Sequence, residues 1–389
     1  MMCCSMVERE RKGQRMKASS GKKVLVSGAS FAGLSSAYWM NQLGYDVTVV
    51  EIGPGIRTGG TAVNIRGNTI NIVKRMGFFE EIQANRLNLR QFDFKNADDR
   101  TERRLVVRAE GEPPPDDDYE IERDVLMNIL FEGVKDRCEI VFGDSVVGLS
   151  ETDCVDVTFK NQERRSFDLV LGCDGTHSGV RKLWFGEEAQ YTHYLQQYFS
   201  ITIVDKLLIE RDTAQLFNVP GKAVMLNAYK NKTDIILGFV SEKEIRYDYR
   251  DEAQQRRIIA DQFVGVGWRA AELLREIDTS KSFYFDKLFQ IRMPSWSRGR
   301  VALVGDAAYC ASPAAGMGGS LAIDGAAALG EAMRSAAGDY ALAFRNYDEN
   351  FRPFINEVQA VAVRVGLETL VPRTEEAIRE RNSKTDAEF

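Results

Sequence analysis

Histidine is nearly absent: the 389-residue chain has two, His177 and His193. That is too few for a histidine-ligated metal centre. It also argues against a Ser-His-Asp hydrolase, whose nucleophile needs several positioned partners. The six cysteines, Cys3, Cys4, Cys138, Cys154, Cys173 and Cys310, form no C-x-x-C pair, so neither zinc nor a disulfide framework is indicated. Long apolar runs are missing, because charge breaks each one short of membrane-spanning length. There is no excess of basic residues. The net charge is −6, which gives no general affinity for nucleic acid. No internal repeat or low-complexity tract occurs. The opening residues are polar and locally basic and lack the apolar core of a secretory signal. Residues 1–21 therefore read as a disordered extension, with Met16 an alternative start, and the expected location is cytoplasmic.

What is present begins with a hydrophobic fraction of 44%, normal for a globular chain of two domains or one elaborated domain. The stretch KKVLVSGASFAGLSSAYWMNQLGYDVTVVE, residues 22–51, organises the rest. Residues 24–26 form a short, fully apolar strand, as burial on both faces requires. The glycine-rich turn 28–33 follows, then a helix to about Leu43 that stops at Gly44, then an apolar run at 47–50 ending in Glu51. Strand, turn, helix, strand and terminal acid at these distances match the dinucleotide fingerprint. Gly28 permits the tight turn, Gly33 lets the helix pack on the strand, and the helix N-terminus faces a pyrophosphate. Ser30 replaces the second glycine; its small side chain allows close approach and offers a donor to phosphate. Glu51 is placed for a ribose hydroxyl, which favours FAD or NAD over NADP at this site. The alternative is an ordinary βαβ unit without a nucleotide.

Residues 53–60 are a glycine-rich loop in which Arg57 either reaches a phosphate or flavin ring or is a solvated surface arginine. A helix is expected at 69–82, strands at 89–94 and 104–107, and an exposed loop at 111–118. Arg123 precedes a helix at 124–135 with Asp124 as its cap. Strands follow at 138–142 and 155–159. The run FDLVLGCDGTHSGVR then reads as a buried strand ending in the turn Asp174-Gly175. Strand-like runs at 198–204, 214–219, 223–229 and 234–240, separated by turn residues, form an antiparallel meander. Helices are expected at 253–263 and 268–277, and an aromatic strand at 283–291. Next come a buried strand at 301–304, Gly305-Asp306, Pro313, the run 316–319 and a small-residue helix at 320–335. Glycines there let backbone lie close to a flat ligand. Tyr340, Phe344, Tyr347, Phe351 and Phe354 recur as one helical stripe that Pro353 should kink or break. Another helix is expected at 358–370, with a charged tail from Arg373 that frays.

Three separated segments, Gly28 to Gly33 with Glu51, Asp174-Gly175, and Gly305-Asp306 before a glycine-rich helix start, together resemble the motifs of group A flavoprotein monooxygenases of the para-hydroxybenzoate hydroxylase fold. The stretches GGTAVNIRG and WSRGRVALVGDAAYCASPAAGMGG and the helical tail look like the tetracycline destructases in particular. The fold this implies is α/β, a Rossmann-like FAD-binding domain with an inserted antiparallel substrate sheet and C-terminal helices. Residues 22–85, 119–182 and 292–340 would form the FAD-binding domain. Residues 86–118 and 183–291 would form the substrate domain, and 341–389 helices that gate the pocket. By this resemblance Gly28, Ser30, Phe31, Ala32 and Gly33 sit at the pyrophosphate and Glu51 at the adenosine ribose. Arg57 lies near the flavin or nicotinamide, Asn64 and Arg123 contact FAD, and Asp174 and Gly175 serve FAD and NADPH. Gly305 and Asp306 take the ribityl chain, and Pro313, Gly316, Met317, Gly318 and Gly319 the ring system. Met317 and Ser320 stand where relatives often carry Gln and Asn. Phe199, Met225, Phe239, Pro313 and Ala314 are the substrate-contact candidates.

The implied reaction uses NADPH to reduce FAD, and O2 is captured as a flavin C4a-hydroperoxide that oxidises tetracyclines. No catalytic acid, base or metal is named, and a monomer free of membrane and nucleic acid is expected. The alternatives are a hydroxylase of another polyketide or phenol, or a non-catalytic flavin-binding protein. A flavin halogenase is disfavoured, since no W-x-W-x-I-P stretch occurs among the four tryptophans.

Overall fold

The computed structural model describes residues 21–108 and 117–384. The expected N-terminal extension up to residue 20 and most of the loop expected at 111–118 lie outside it. A six-stranded sheet runs in the order Ser297–Arg298, Val301–Leu303, Leu169–Gly172, Lys23–Ser27, Asp46–Glu51, Glu139–Phe142. Its inner strands are parallel, with Val24 opposite Val47 on one side and Leu169 on the other. Val24, Leu25, Val26, Val170 and Leu171 are fully buried, which is why these strands are apolar on both faces. Helices Phe31–Gln42 and Gly318–Ser335 pack together against it.

A seven-stranded sheet has the order Phe283–Ile291, Thr192–Val204, Lys232–Val240, Lys222–Tyr229, Thr213–Val219, Gln91–Lys95, Thr101–Val106. The expected meander is its antiparallel centre; Gln91–Lys95 joins it in parallel. One face packs on helices Glu252–Phe263 and Ala270–Thr279 through Tyr198, Leu237, Phe239, Ile259, Phe263 and Leu273. Two small sheets complete the fold: Val63–Arg66 with Asp118–Ile121, and a three-stranded one in which Val146–Glu151 is a strand the sequence reading did not anticipate.

Several local expectations change. The helix expected at 69–82 is two, Asn68–Met76 and Phe79–Ala84, because Gly77 turns left-handed at φ 77° between them. Asp124 does not cap its helix. Glu122 occupies the cap position without a side-chain bond, and Asp124 Oδ1 accepts from the Gly59 N–H at 2.7 Å. Helix Tyr340–Val361 runs through Pro353, whose ring lies on the exposed face where a freed carbonyl meets water. Phe354 leaves the buried stripe and is 41% exposed. The helix expected at 358–370 is the end of that long helix, a wider π-turn at Ala362–Gly366, and Leu367–Leu370. As far as residue 384 the tail is ordered rather than frayed. Glu375–Ser383 is a helix capped by Thr374 and pinned by buried Arg381, which donates to Asn218 Oδ1 at 2.9 Å and the Thr369 carbonyl at 2.8 Å.

Candidate functional site

The three motif segments converge on one cleft of about 1220 Å³. They also lock each other. Gly28 adopts φ 102°, and a Cβ there would lie 2.6 Å from the Cys173 carbonyl oxygen, so the first and second motifs abut backbone to backbone. A Cβ on Gly305, at φ 70°, would lie 2.8 Å from Ala32 Cβ, so the third motif abuts the first. Buried Arg181 donates to the Ala307 carbonyl at 2.9 Å, tying the second to the third.

Ser30 caps helix Phe31–Gln42: its Oγ accepts from the Gly33 N–H at 3.3 Å. Its hydroxyl proton goes to the Cys173 carbonyl at 2.9 Å, so the donor expected for phosphate is committed within the protein. Phe31 and Ala32, at the helix start where backbone N–H groups lack intrahelical partners, still line the cleft. Glu51 stands at the opposite end of the turn, accepting from Ala29 N–H at 2.8 Å and Gly53 N–H at 2.9 Å. Asp174 accepts from the Ser178 hydroxyl and, at 3.0 Å, from the Val180 N–H, while Ser178 caps helix Gly179–Trp184 by accepting from the Arg181 N–H at 2.9 Å; burial pushes the Asp174 carboxyl upward.

Two arginines face the same cleft. Arg123 lies over the Phe31 ring at 5.4 Å and donates to the Gly59 carbonyl at 3.1 Å. Burial first, then the like charge of Arg57, lowers its pKa, while Asp124 and Asp306 oppose this. Asp306 opens onto the cleft floor, exposed on that side and enclosed by protein on the others. Desolvation raises its carboxyl, against the pull of Cys310 and Arg123. Pro313, Gly318 and Gly319 complete this wall at the start of helix Gly318–Ser335.

Not every candidate reaches the lining. Asn64 instead donates to Asp118 Oδ1 at 3.1 Å, and its carbonyl accepts from Ser320 Oγ at 2.9 Å. The Gly316 carbonyl accepts from Arg66 at 3.2 Å, and Met317, half-buried, packs against the core. Ala314 lies against Gly366. Phe199 lines the cleft. Met225 shares its sheet face but packs with Phe94, Leu216 and Val371. Phe239 points the other way: it pairs with Tyr198, stacks on it at 5.4 Å and is fully buried on the helix side.

A cluster the sequence reading did not single out forms the far wall. Tyr284 lines the cleft and donates to Asp286 Oδ2 at 3.0 Å; Tyr247 donates to Asp286 Oδ1 at 3.2 Å. His177 Nε2 stands 3.9 Å from Asp286 and its Nδ1 3.0 Å from Glu188. These two carboxylates raise the imidazole pKa to about 9. The only signal in the chain was alternation within the aromatic strand, where Tyr284 and Asp286 share one face.

The model of the FAD binding domain family matches residues 22–358. An uncharacterized protein of Mycobacterium tuberculosis is 40% identical over 87% of this chain and 92% of its own length. A flavin-dependent monooxygenase from an unknown prokaryotic organism is 33% identical over 93% of this chain and 94% of its own. The chain belongs to the group A FAD-dependent monooxygenases. Among solved structures, the tetracycline destructase Tet(51) matches the monooxygenase with a TM-score of 0.82 and 33% identity, over 94% of this chain and 96% of that one.

The residues present fit the FAD this family binds. In this monooxygenase three glycine turns bring backbone to one cleft, the starts of helices Phe31–Gln42 and Gly318–Ser335 and the two arginines line it, and the carboxylates of Glu51 and Asp306 are among those within it. Among the described residues no helix is long and apolar enough to cross a membrane, and no cluster of His, Cys, Asp or Glu could hold a metal ion.

Proposed function

We propose that the monooxygenase uses NADPH and O2 to insert one oxygen atom into a tetracycline-type polyketide. The likeness to tetracycline destructase Tet(51) along nearly the whole chain carries this reading. In it, segments 22–85, 119–182 and 292–340 hold the cofactor, and 86–118 with 183–291 present the substrate. The backbone at Gly28, Phe31 and Ala32 meets the pyrophosphate, Gly33 packs behind the turn against Gly28, and Glu51 meets the adenosine ribose. Asp306 takes the ribityl hydroxyls, Arg57 and Arg123 the electron-rich side of the ring, and Gly175, Gly318 and Gly319 allow close approach. Bound FAD supplies the hydride acceptance and oxygen activation that no side chain offers.

The protein's share is orientation and charge. Tyr284 commits its proton to Asp286, so its oxygen is left to accept a hydroxyl from the substrate. His177, held protonated at neutral pH, stands 3.9 Å from Asp286 and helps hold it in place. Phe199 offers a flat apolar surface beside Tyr284, with ring centroids 5.6 Å apart. The Tyr284–Asp286 pair favours a second reading equally rich in hydroxyls, a hydroxylase of another phenol or aromatic polyketide. Substrate-dependent NADPH consumption across tetracyclines, simple phenols and other polyketides, with product masses, separates the two. Turnover of tetracycline supports the first; turnover confined to another compound removes it.

A further inference from the structure

One fully buried acid outside the cleft lining has no part in the chemistry described above. Asp234, on strand Lys232–Val240, has no exposed surface. Its Oδ2 accepts from the Thr61 hydroxyl at 2.5 Å and its Oδ1 from the Tyr229 hydroxyl at 2.9 Å. The charged groups facing it are Lys232, Glu122 and Glu120; Glu122 is itself bound to Lys232 at 3.2 Å and to Lys230. Asp118 and Asn227 adjoin Glu120. Among the described residues no salt bridge reaches Asp234 to offset the cost of burying a carboxylate, several kcal/mol in a dry site.

What Asp234 holds is informative. Thr61 belongs to the irregular segment 52–62, which carries Arg57 into the cleft. Two other grips on this segment, Asp124 on the Gly59 N–H and Arg123 on the Gly59 carbonyl, come from helix Arg123–Glu132. The Thr61–Asp234 bond comes from the seven-stranded sheet, 173 positions away in sequence. By strand register Asp234 stands on the same sheet face as Phe199, opposite Ile203. The segment is therefore clamped between the sheet bearing the proposed substrate wall and the helix bearing Arg123.

We propose that Asp234 is a positioning residue for the cofactor: through Thr61 it fixes the segment carrying Arg57, so that the substrate sheet sets how tightly FAD is held. This rests on FAD occupying the cleft beside Arg57. The test is titration of flavin-depleted protein with FAD, read by flavin fluorescence, together with the melting temperature of each protein. Thr61→Val removes the donor at nearly constant shape and should weaken FAD binding about tenfold, the scale of a hydrogen bond to a charged group. Thr61→Ser restores the hydroxyl and should bind within about twofold of the parent. Asp234→Asn should weaken binding in the same direction, and the double variant Thr61→Val/Asp234→Asn should lose less than the sum of the two, as coupled partners do. Should Thr61→Val not fold, Asp234→Asn and Thr61→Ser carry the comparison. Variants that melt lower yet bind FAD as the parent does, or losses that simply add, overturn the proposal and reduce Asp234 to a packing role. A parent that binds no FAD overturns instead the placement of FAD on which it rests.

Discussion

Gly28 and Cys173 meet so closely that no side-chain carbon fits between them: a Cβ on Gly28 would stand 2.6 Å from the Cys173 carbonyl oxygen. The left-handed φ of 102° adds strain for any residue but glycine. Gly28→Ala should therefore lower unfolding stability by at least about 2 kcal/mol, the scale of a strained backbone plus a clash in the core. It should also purify without flavin. Chemical denaturation and the visible spectrum check both.

Asp306 offers its carboxylate at the cleft floor with Arg123 near enough to act on it. Asp306→Ala should weaken FAD binding by roughly 1.5–3 kcal/mol, the cost of losing a charge-assisted acceptor. The variant should purify pale while melting close to the parent. Unchanged flavin affinity on titration would remove Asp306 from the binding set.

His177 predicts a pH dependence. Asp286 and Glu188 raise its pKa from 6.5 to about 9 in the folded chain. A raised folded pKa means the stabilisation is fully present below about pH 6.5, declines as pH rises, and is gone above about 9. Urea denaturation across that range should show the parent losing its advantage over His177→Gln as pH rises. Parallel curves for the two proteins would show that the ring carries no such proton.

Tyr284→Phe should leave FAD content unchanged, because the ring stays and only the hydroxyl leaves the cleft wall. Affinity for a hydroxylated substrate should fall about tenfold, the worth of one hydrogen bond backed by a carboxylate. KM should rise more than kcat falls. Asp286 then loses one of its two tyrosine donors, so a drop in melting temperature is also expected.

The nucleotide-type half was legible because its signals are local. Strand, glycine turn and helix start lie within a dozen residues of each other at 23–33, 169–179 and 301–306, and the glycine of each turn marks it in the chain. Phe239 was misread because strand Lys232–Val240 is buried on both faces, so alternation does not reveal which side meets the cleft. Asp124 looked like a cap because capping is local, whereas its partner Gly59 lies far back in the chain. The final helix escaped notice because it docks by the polar bonds of Arg381 rather than by an apolar stripe. The Tyr284–Asp286–His177–Glu188 cluster joins one strand to two distant segments, and nothing on strand Phe283–Ile291 announces His177 or Glu188.

The most direct test of the account is turnover of tetracycline by FAD-loaded protein with NADPH under heavy-isotope dioxygen, read by product mass. The account predicts a product one oxygen atom heavier, with that atom drawn from the labelled gas and the drug chromophore lost. NADPH consumption that yields only hydrogen peroxide, with tetracycline recovered intact, would contradict it.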